Sequence, residues 1–182
     1  RDVTKRRNDE QRVRESEEMF RKAFVMSPDS INISRLSDGV FVDVNDSFTK
    51  GTGYKREEVV GKSSFELGLW ADPADRQKVE DELKSKGALG NMPISYVTAR
   101  GEKRQGLMSA RVIMIKGVPH MISIMRDITD RLKYEEALKE SEEKYRELFN
   151  NANDAIFINR LDENGRVRDF MEMNDMALKM TG

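Results

Sequence analysis

The sequence predicts an α+β domain built on an antiparallel sheet and flanked by charged helices, and three observations carry that reading. First, the chain repeats itself. The opening RDVTKRRNDEQRVRESEEMFRKAF returns as RDITDRLKYEEALKESEEKYRELF over residues 126–149, with Asp2 matching Asp127, Thr4 matching Thr129 and Phe24 matching Phe149 at one offset of 125 residues. An internal repeat of this length marks tandem units of domain size. Second, the order between the two copies reads helix, two strands, several short helices, three strands, helix. Third, the last strand is apolar on both faces, because Met121, Ser123 and Met125 alternate with His120, Ile122 and Ile124. A strand of that kind is covered on both sides.

Residues 2–24 are densely charged and lack Pro and Gly, with Val13, Phe20 and Ala23 forming a thin apolar seam; this predicts a helix. Pro28 ends it. Ser30 to Leu36 reads as a strand, Ser37-Asp38-Gly39 as a turn, and Val40 to Val44 as the second arm of a hairpin. Asn45 or Asp46 caps a short helix beyond the hairpin, since a short polar side chain accepts the free amide hydrogens of a first helical turn. Gly51, Gly53, Gly61 and Gly68 break the next stretch into short helical pieces such as Arg56 to Val60. Asp72-Pro73 starts a longer helix to about Lys86, closed by Gly87.

Strands over Pro93 to Ala99, Lys103 to Ile115 and Val118 to Ile128 come next, with turns at Gly101 and Lys116-Gly117. One face of the last strand closes the core, and the other takes a helix, for which residues 2–24 are the nearest candidate. The second charged copy then forms the closing helix. Tyr134, Leu138, Ser141, Tyr145 and Leu148 make a four-three-four-three seam, with Glu135–Lys139, Glu140–Lys144 and Glu142–Arg146 as surface pairs. This helix either packs on its own domain or forms a parallel two-stranded coil between the domains of a homodimer. We prefer the coil.

The chain starts on Arg1 and stops inside the second copy, so we read it as a window cut from a tandem array. Residues 1–24 form the linker helix of a preceding unit and residues 25–128 one complete domain. Residues 129–149 form a second linker helix, and residues 150–182 begin a further unit. That last part is expected to be disordered, or else ordered by pairing its Ala155–Leu161 strand with another chain, because an exposed edge seeks a partner.

Composition narrows the function. With 32 Lys+Arg against 33 Asp+Glu, bulk charge does not support nucleic-acid binding. No run approaches the eighteen or so apolar residues of a membrane span, so we expect a soluble cytoplasmic piece without membrane contact. There is no cysteine, which excludes disulfides, thiolate metal sites and a cysteinyl-flavin adduct. His120 is the only histidine, so catalytic triads and metal sites built on several histidines cannot be assembled. Between Pro119 and Met121 it reads as a sheet residue rather than a ligand.

Several ordered motifs then resemble one family. They are Phe41-Val42-Asp43-Val44-Asn45-Asp46-Ser47-Phe48, Thr52-Gly53-Tyr54, Glu57-Glu58-Val59-Val60-Gly61, Asp72-Pro73-Ala74-Asp75-Arg76 and Arg126-Asp127-Ile128-Thr129. Together they resemble a PAS domain, or sensory box, with its C-terminal PAC motif, over about Ser16 to Arg131; a second such unit begins near Glu140. The resemblance implies a five-stranded antiparallel sheet in the order two, one, five, four, three. Short helices cross one face and enclose a pocket. It also implies a bacterial or archaeal signal-transduction protein whose output domain, joined in cis, is a two-component histidine kinase or a diguanylate cyclase.

In that layout the ligand pocket draws on Phe65, Leu69, Trp70, Val79, Leu83, Ile94, Tyr96, Met108, Ala110, Val112, Ile122 and Ile124. Trp70, Tyr96, Ser109 and Arg111 are the candidate inward polar groups. Strand parity sets Ser109 and Arg111 against Met108, Ala110 and Val112, so only one of those sets faces the pocket. The Asp127, Ile128, Thr129 junction caps the closing helix and, by the resemblance, transfers signal to the coil seam at Tyr134, Leu138, Tyr145 and Leu148. No cofactor is required: non-covalent flavin stays open, haem is disfavoured because the long helix carries no histidine, and no catalytic or metal residue is expected in this non-enzymatic segment. A structural dimerisation spacer without ligand is the alternative.

Overall fold

The computed structural model describes the backbone of residues 2–181 and the side chains of residues 10–180. Arg1 and Gly182, where the repeat reading begins and ends, lie outside the described residues. The chain divides into two units, one running to Thr129 and the other from Asp130.

In the first unit, helix α1 (Asp2–Met26) leads into strands β1 (Ser30–Arg35) and β2 (Phe41–Val44). Helices α2 (Asp46–Thr52), α3 (Arg56–Val59) and α4 (Pro73–Lys86) come next, then strands β3 (Ala88–Val97), β4 (Lys103–Ile115) and β5 (Val118–Asp127). The strands form one antiparallel sheet in the order β2-β1-β5-β4-β3, the order expected. Local chemistry explains the boundaries. Asn45 caps α2 by accepting the Phe48 amide hydrogen, and Asp72 caps α4 by accepting that of Ala74, with Pro73 in the first turn. At the other end of α4, Gly87 takes φ 71 and donates to the Leu83 carbonyl, a left-handed cap that a side chain would resist.

Strand β3 begins earlier than the sequence suggests. It starts at Ala88, and an irregularity between Leu89 and Met92, with Asn91 at φ 49, breaks the alternation that would have marked it. The β4–β5 turn is tight: Lys116 at φ 49 and Gly117 at φ 77 place Ile115 opposite Val118.

The core holds two apolar clusters. Phe41, Val44, Phe48, Val59 and Leu69 make one; Val79, Leu83, Ile94, Met108 and Ala110 make the other. Each buried Val, Leu, Ile, Phe or Met among them contributes about 1.5–3 kcal/mol relative to exposure. Phe24 is the buried side chain among the described residues of α1. The outward face of β5 stays open to solvent at Ile124, which is 43% exposed rather than covered by that helix.

The second unit contains the rest of helix α5 (Thr129–Asn150), a hairpin of β6 (Phe157–Leu161) and β7 (Val167–Met173), and helix α6 (Asp175–Thr181). The segment after Asn150 forms this hairpin, with β6 paired to β7 of its own chain. Phe157 packs edge-on against Phe170 across that hairpin.

Candidate functional site

A cavity of about 570 Å³ lies in the first unit and draws its wall from both core clusters, through Phe41, Phe48 and Leu69 on one side and Val79, Leu83, Ile94 and Met108 on the other. That volume falls in the ordinary range of small-molecule pockets. Trp70 and Tyr96 also line it. Seven of the residues expected there are thus brought together: Leu69, Trp70, Val79, Leu83, Ile94, Tyr96 and Met108. Phe65 is an exposed residue under the Arg76 guanidinium, while Ala110 and Val112 pack in the core away from the cavity wall.

Ile122 and Ile124 are not on the wall, and the register shows why. Asn32 pairs with Ser123 and Ile31 with Ile124, so Ser123 shares the cavity face with Asn32 while the isoleucines take the opposite face. Met121, Ser123 and Met125 line the cavity in their place. The signal was available: the two-residue Lys116-Gly117 turn sets Ile115 opposite Val118, and counting along both strands from there puts Met108 opposite Met125.

The inward polar groups also differ from those expected. Trp70 Nε1 donates to Ser64 Oγ at 2.9 Å, and the Tyr96 hydroxyl donates to Asp127 Oδ2 at 2.9 Å. Ser109 Oγ accepts the Asn91 amide hydrogen at 2.9 Å, and Arg111 is exposed. Among the residues that line the cavity, the buried polar atoms without a protein partner are instead Asn32 Oδ1, Ser34 Oγ and Ser123 Oγ. Their residues are 8%, 1% and 0% exposed. The usual pattern is inverted here, with polar side chains inward while Ile31, Ile33, Ile122 and Ile124 take the other face of β1 and β5.

The cavity is wired to the start of α5. The ring of Tyr96 lines the cavity and its hydroxyl holds Asp127, the last residue of β5. Arg104 Nη1 donates to the same carboxylate oxygen at 3.0 Å, and Asp127 Oδ1 accepts the Thr129 amide hydrogen at 2.8 Å. Thr129 Oγ1 accepts the Gln105 amide hydrogen at 2.9 Å, and Ile128 donates to the Gln105 carbonyl at 2.9 Å. Burial pushes the Asp127 carboxyl up, but the hydrogen bonds from Thr129, Arg104 and Tyr96 outweigh it and leave the pKa below the usual aspartate value. Burial first, and then the bond to Asp127, hold the Tyr96 hydroxyl protonated well above the ordinary phenol range.

Along α5 the apolar residues are outward. Tyr134, Leu138, Tyr145 and Leu148 are all exposed, while Arg131–Glu135 at 2.7 Å and Lys139–Glu143 at 3.9 Å form its i,i+4 ion pairs. His120 is buried, with Nδ1 2.9 Å from the Val118 carbonyl oxygen, and is not on the cavity wall. Among the described residues there is no group of three or more His, Cys, Asp or Glu side chains arranged to hold a metal ion, and no helix is long and apolar enough to cross a membrane.

Comparison with known proteins agrees with this geometry. The chain matches the PAS domain family over residues 28–130 and again over residues 143–182. It is 30% identical over 159 residues to sporulation kinase E of Bacillus subtilis (strain 168), covering 87% of this chain and 21% of that kinase, so it spans about one-fifth of the relative's length. The PAS domain of an HTR-like protein from Haloarcula marismortui superposes with a TM-score of 0.55 at 25% identity, covering 67% of this chain and 99% of that one. An RNA-binding Light-Oxygen-Voltage receptor shares the fold with a TM-score of 0.57 at 20% identity, over 70% of this chain and 37% of that one. With a matching family over more than half its length and the sheet order and cavity described above, this chain belongs to the PAS domain family.

Proposed function

We propose that this segment is the non-catalytic sensory and dimerising part of a multidomain cytoplasmic signalling protein with a histidine kinase output. It detects a small molecule in the cavity of its first unit and passes the change through Asp127, Ile128 and Thr129 into α5. The observation that carries this reading is Tyr96, whose ring is part of the cavity wall and whose hydroxyl is bonded to the junction carboxylate at 2.9 Å. An occupant that moves the ring lengthens that bond, and Asp127 then holds the first turn of α5 less firmly. Two packings of a helical coil built on Tyr134, Leu138, Tyr145 and Leu148 differ in energy by little, so a small bias at the junction shifts their populations. The kinase output rests on the similarity to sporulation kinase E. A cavity of about 570 Å³ favours a sensor over a spacer that binds nothing.

Hydrogen–deuterium exchange tests the wiring. Tyr96→Phe keeps the ring and removes the bond, so the amides of Ile128, Thr129 and the first turn of α5 should exchange several-fold faster while the β4–β5 ladder is unchanged. Equal exchange in both proteins removes Tyr96 from the path. Visible absorbance of the purified chain separates this reading from a flavin held without a covalent bond.

A further inference from the structure

Three buried polar atoms on residues that line the cavity have no protein partner, and they lie close together. Asn32 and Ser123 are directly paired across β1 and β5, which sets their Cβ atoms about 5 Å apart, and Ser34 lies one alternation along the same strand and face. A buried polar atom without a partner is unfavourable, and three on one wall of a cavity amount to a half-built set of hydrogen bonds. The set has a definite chemistry. Asn32 Oδ1 can only accept, whereas each serine hydroxyl can both donate and accept. The complement must therefore offer at least one donor and one acceptor within the reach of a single head group.

Charge is absent from this wall. The charged side chains that line the cavity are already paired: Arg35 with Asp38 at 2.8 Å, Arg76 with Glu80 at 2.8 Å, and Lys84 with Glu80 at 3.6 Å. A carboxylate or ammonium seated against Asn32 and Ser123 would lose its hydration without gaining a counter-ion. Away from these three residues the lining is apolar at Phe48 of α2, at Leu69, at Val79 and Leu83 of α4, and at Ile94 of β3.

We infer that the cavity takes a neutral amphipathic molecule of the carboxamide or alcohol type, its hydrogen-bonding head on Asn32, Ser34 and Ser123 and its apolar body against Val79, Leu83 and Phe48. The inference rests on the reading of the cavity as the sensory site and adds the class of ligand. It also explains why polar residues displace isoleucine from the inward face of β1 and β5.

The test uses the whole chain and its only tryptophan, Trp70, which lines the cavity and reports occupancy by its emission. The probes are decanamide, decanoate and decylammonium, equal in chain length and different in head charge. Decanamide should shift Trp70 emission saturably and bind about tenfold or more tightly than either charged probe. Ser34→Val with Ser123→Val, checked for folding by circular dichroism, should weaken decanamide binding about tenfold or more; if the valines do not fold, Ser34→Ala with Ser123→Ala serves. A charged probe that binds as well as decanamide, or decanamide binding that both substitutions leave unchanged, overturns the ligand class. So does the absence of any response to decanamide. Denaturing extraction followed by mass spectrometry judges the sensory reading separately: a charged or wholly apolar molecule carried through purification keeps the site and overturns the class, and a neutral amide or alcohol supports both.

Discussion

Asn45 and Asn174 make the same four hydrogen bonds in the two units. Asn45 Oδ1 accepts from the Ile31 and Phe48 amides, and its Nδ2 donates to the Phe24 and Asp29 carbonyls, all between 2.9 and 3.0 Å. Asn174 Oδ1 accepts from Ile156 and Ala177, and its Nδ2 donates to Phe149 and Asp154, over the same range. One side chain thus ties the end of an incoming helix, the approach to a strand and the start of the next helix into one node. The repeat seen in the sequence is a repeat of this joint.

Asn45→Ala should be strongly destabilising. It removes the partner of the Ile31 and Phe48 amide hydrogens and of the Phe24 carbonyl at a site where the side chain is almost fully buried, while the Asp29 carbonyl keeps its bond from the Ser27 hydroxyl, and each abandoned buried group costs about 1–3 kcal/mol less what water recovers. We expect a loss of about 3 kcal/mol in urea unfolding of the first unit. Asn45→Asp keeps the cap on Phe48 but sets a carboxylate oxygen against the Phe24 and Asp29 carbonyls. Its signature should be faster hydrogen exchange near residues 24–31. A protein in which both variants unfold like the parent would show that the node is not what holds α1 to the domain.

The Asp127 junction should loosen in acid. Its carboxyl titrates below the ordinary aspartate value, so the folded state binds a proton less readily than the unfolded chain. The stabilisation is therefore fully present above about pH 4 and is lost as pH falls through the depressed folded value. Asp29, held down by its hydrogen bond from Arg126, and Asp75, held down by that from Lys78, act in the same direction, so acid weakens the parent at several places. The informative comparison is with Asp127→Asn, which is less stable than the parent near neutrality. The gap between their melting temperatures should narrow as pH falls from about 4 through the depressed Asp127 value. Parallel curves would remove Asp127 from the acid response.

The strands and α4 were legible because their signals are local: alternation for β1 and β4, and Asp72-Pro73 with Gly87 for α4, whose ends fall where the residues indicate. The start of β3 was hidden by Gly90, Asn91 and Pro93, residues that argue against a strand and here accompany an irregularity inside one. The facing of β5 was misread for another reason. Both of its faces are apolar enough to be core, so hydropathy favoured Ile122 and Ile124, while the hydrogen-bond register chose Met121, Ser123 and Met125. Where Asn32 and Ser34 point inward in preference to isoleucine, hydropathy alone would have chosen the other face.

Gly106→Ala should disturb the same wall. A Cβ at Gly106 would lie 3.0 Å from Met125 Cγ and 3.2 Å from its Sδ, with the Arg126 carbonyl oxygen at 3.5 Å. The methionine is flexible and lines the cavity, so it yields by moving rather than by forcing the strands apart. Overpacking of this kind costs about 1–3 kcal/mol, and a flexible neighbour puts it near 1 kcal/mol. Chemical unfolding should show that modest loss, together with an altered Trp70 emission. A stable variant with unchanged emission would mean that Met125 has slack the geometry does not suggest.

Self-association should depend on the exposed seam of α5. Tyr134, Leu138 and Leu148 stand out from the helix at four-three spacing, and an apolar row of this kind on a long charged helix is satisfied by a second copy of the same helix. Tyr145 also has work inside its own unit, stacking on Phe149 at 5.4 Å and donating to Glu172 Oε2 at 2.9 Å. Leu138→Ser with Tyr145→Ser should weaken dimerisation about tenfold or more in analytical sedimentation, since each seam position is used twice in a symmetric coil. Tyr145→Phe, which keeps the ring and drops the Glu172 bond, should leave association unchanged. If the double variant associates like the parent, the seam faces solvent and another surface must hold any dimer; if Tyr145→Phe alone weakens it, the dimer depends on the bond to Glu172 rather than on the seam.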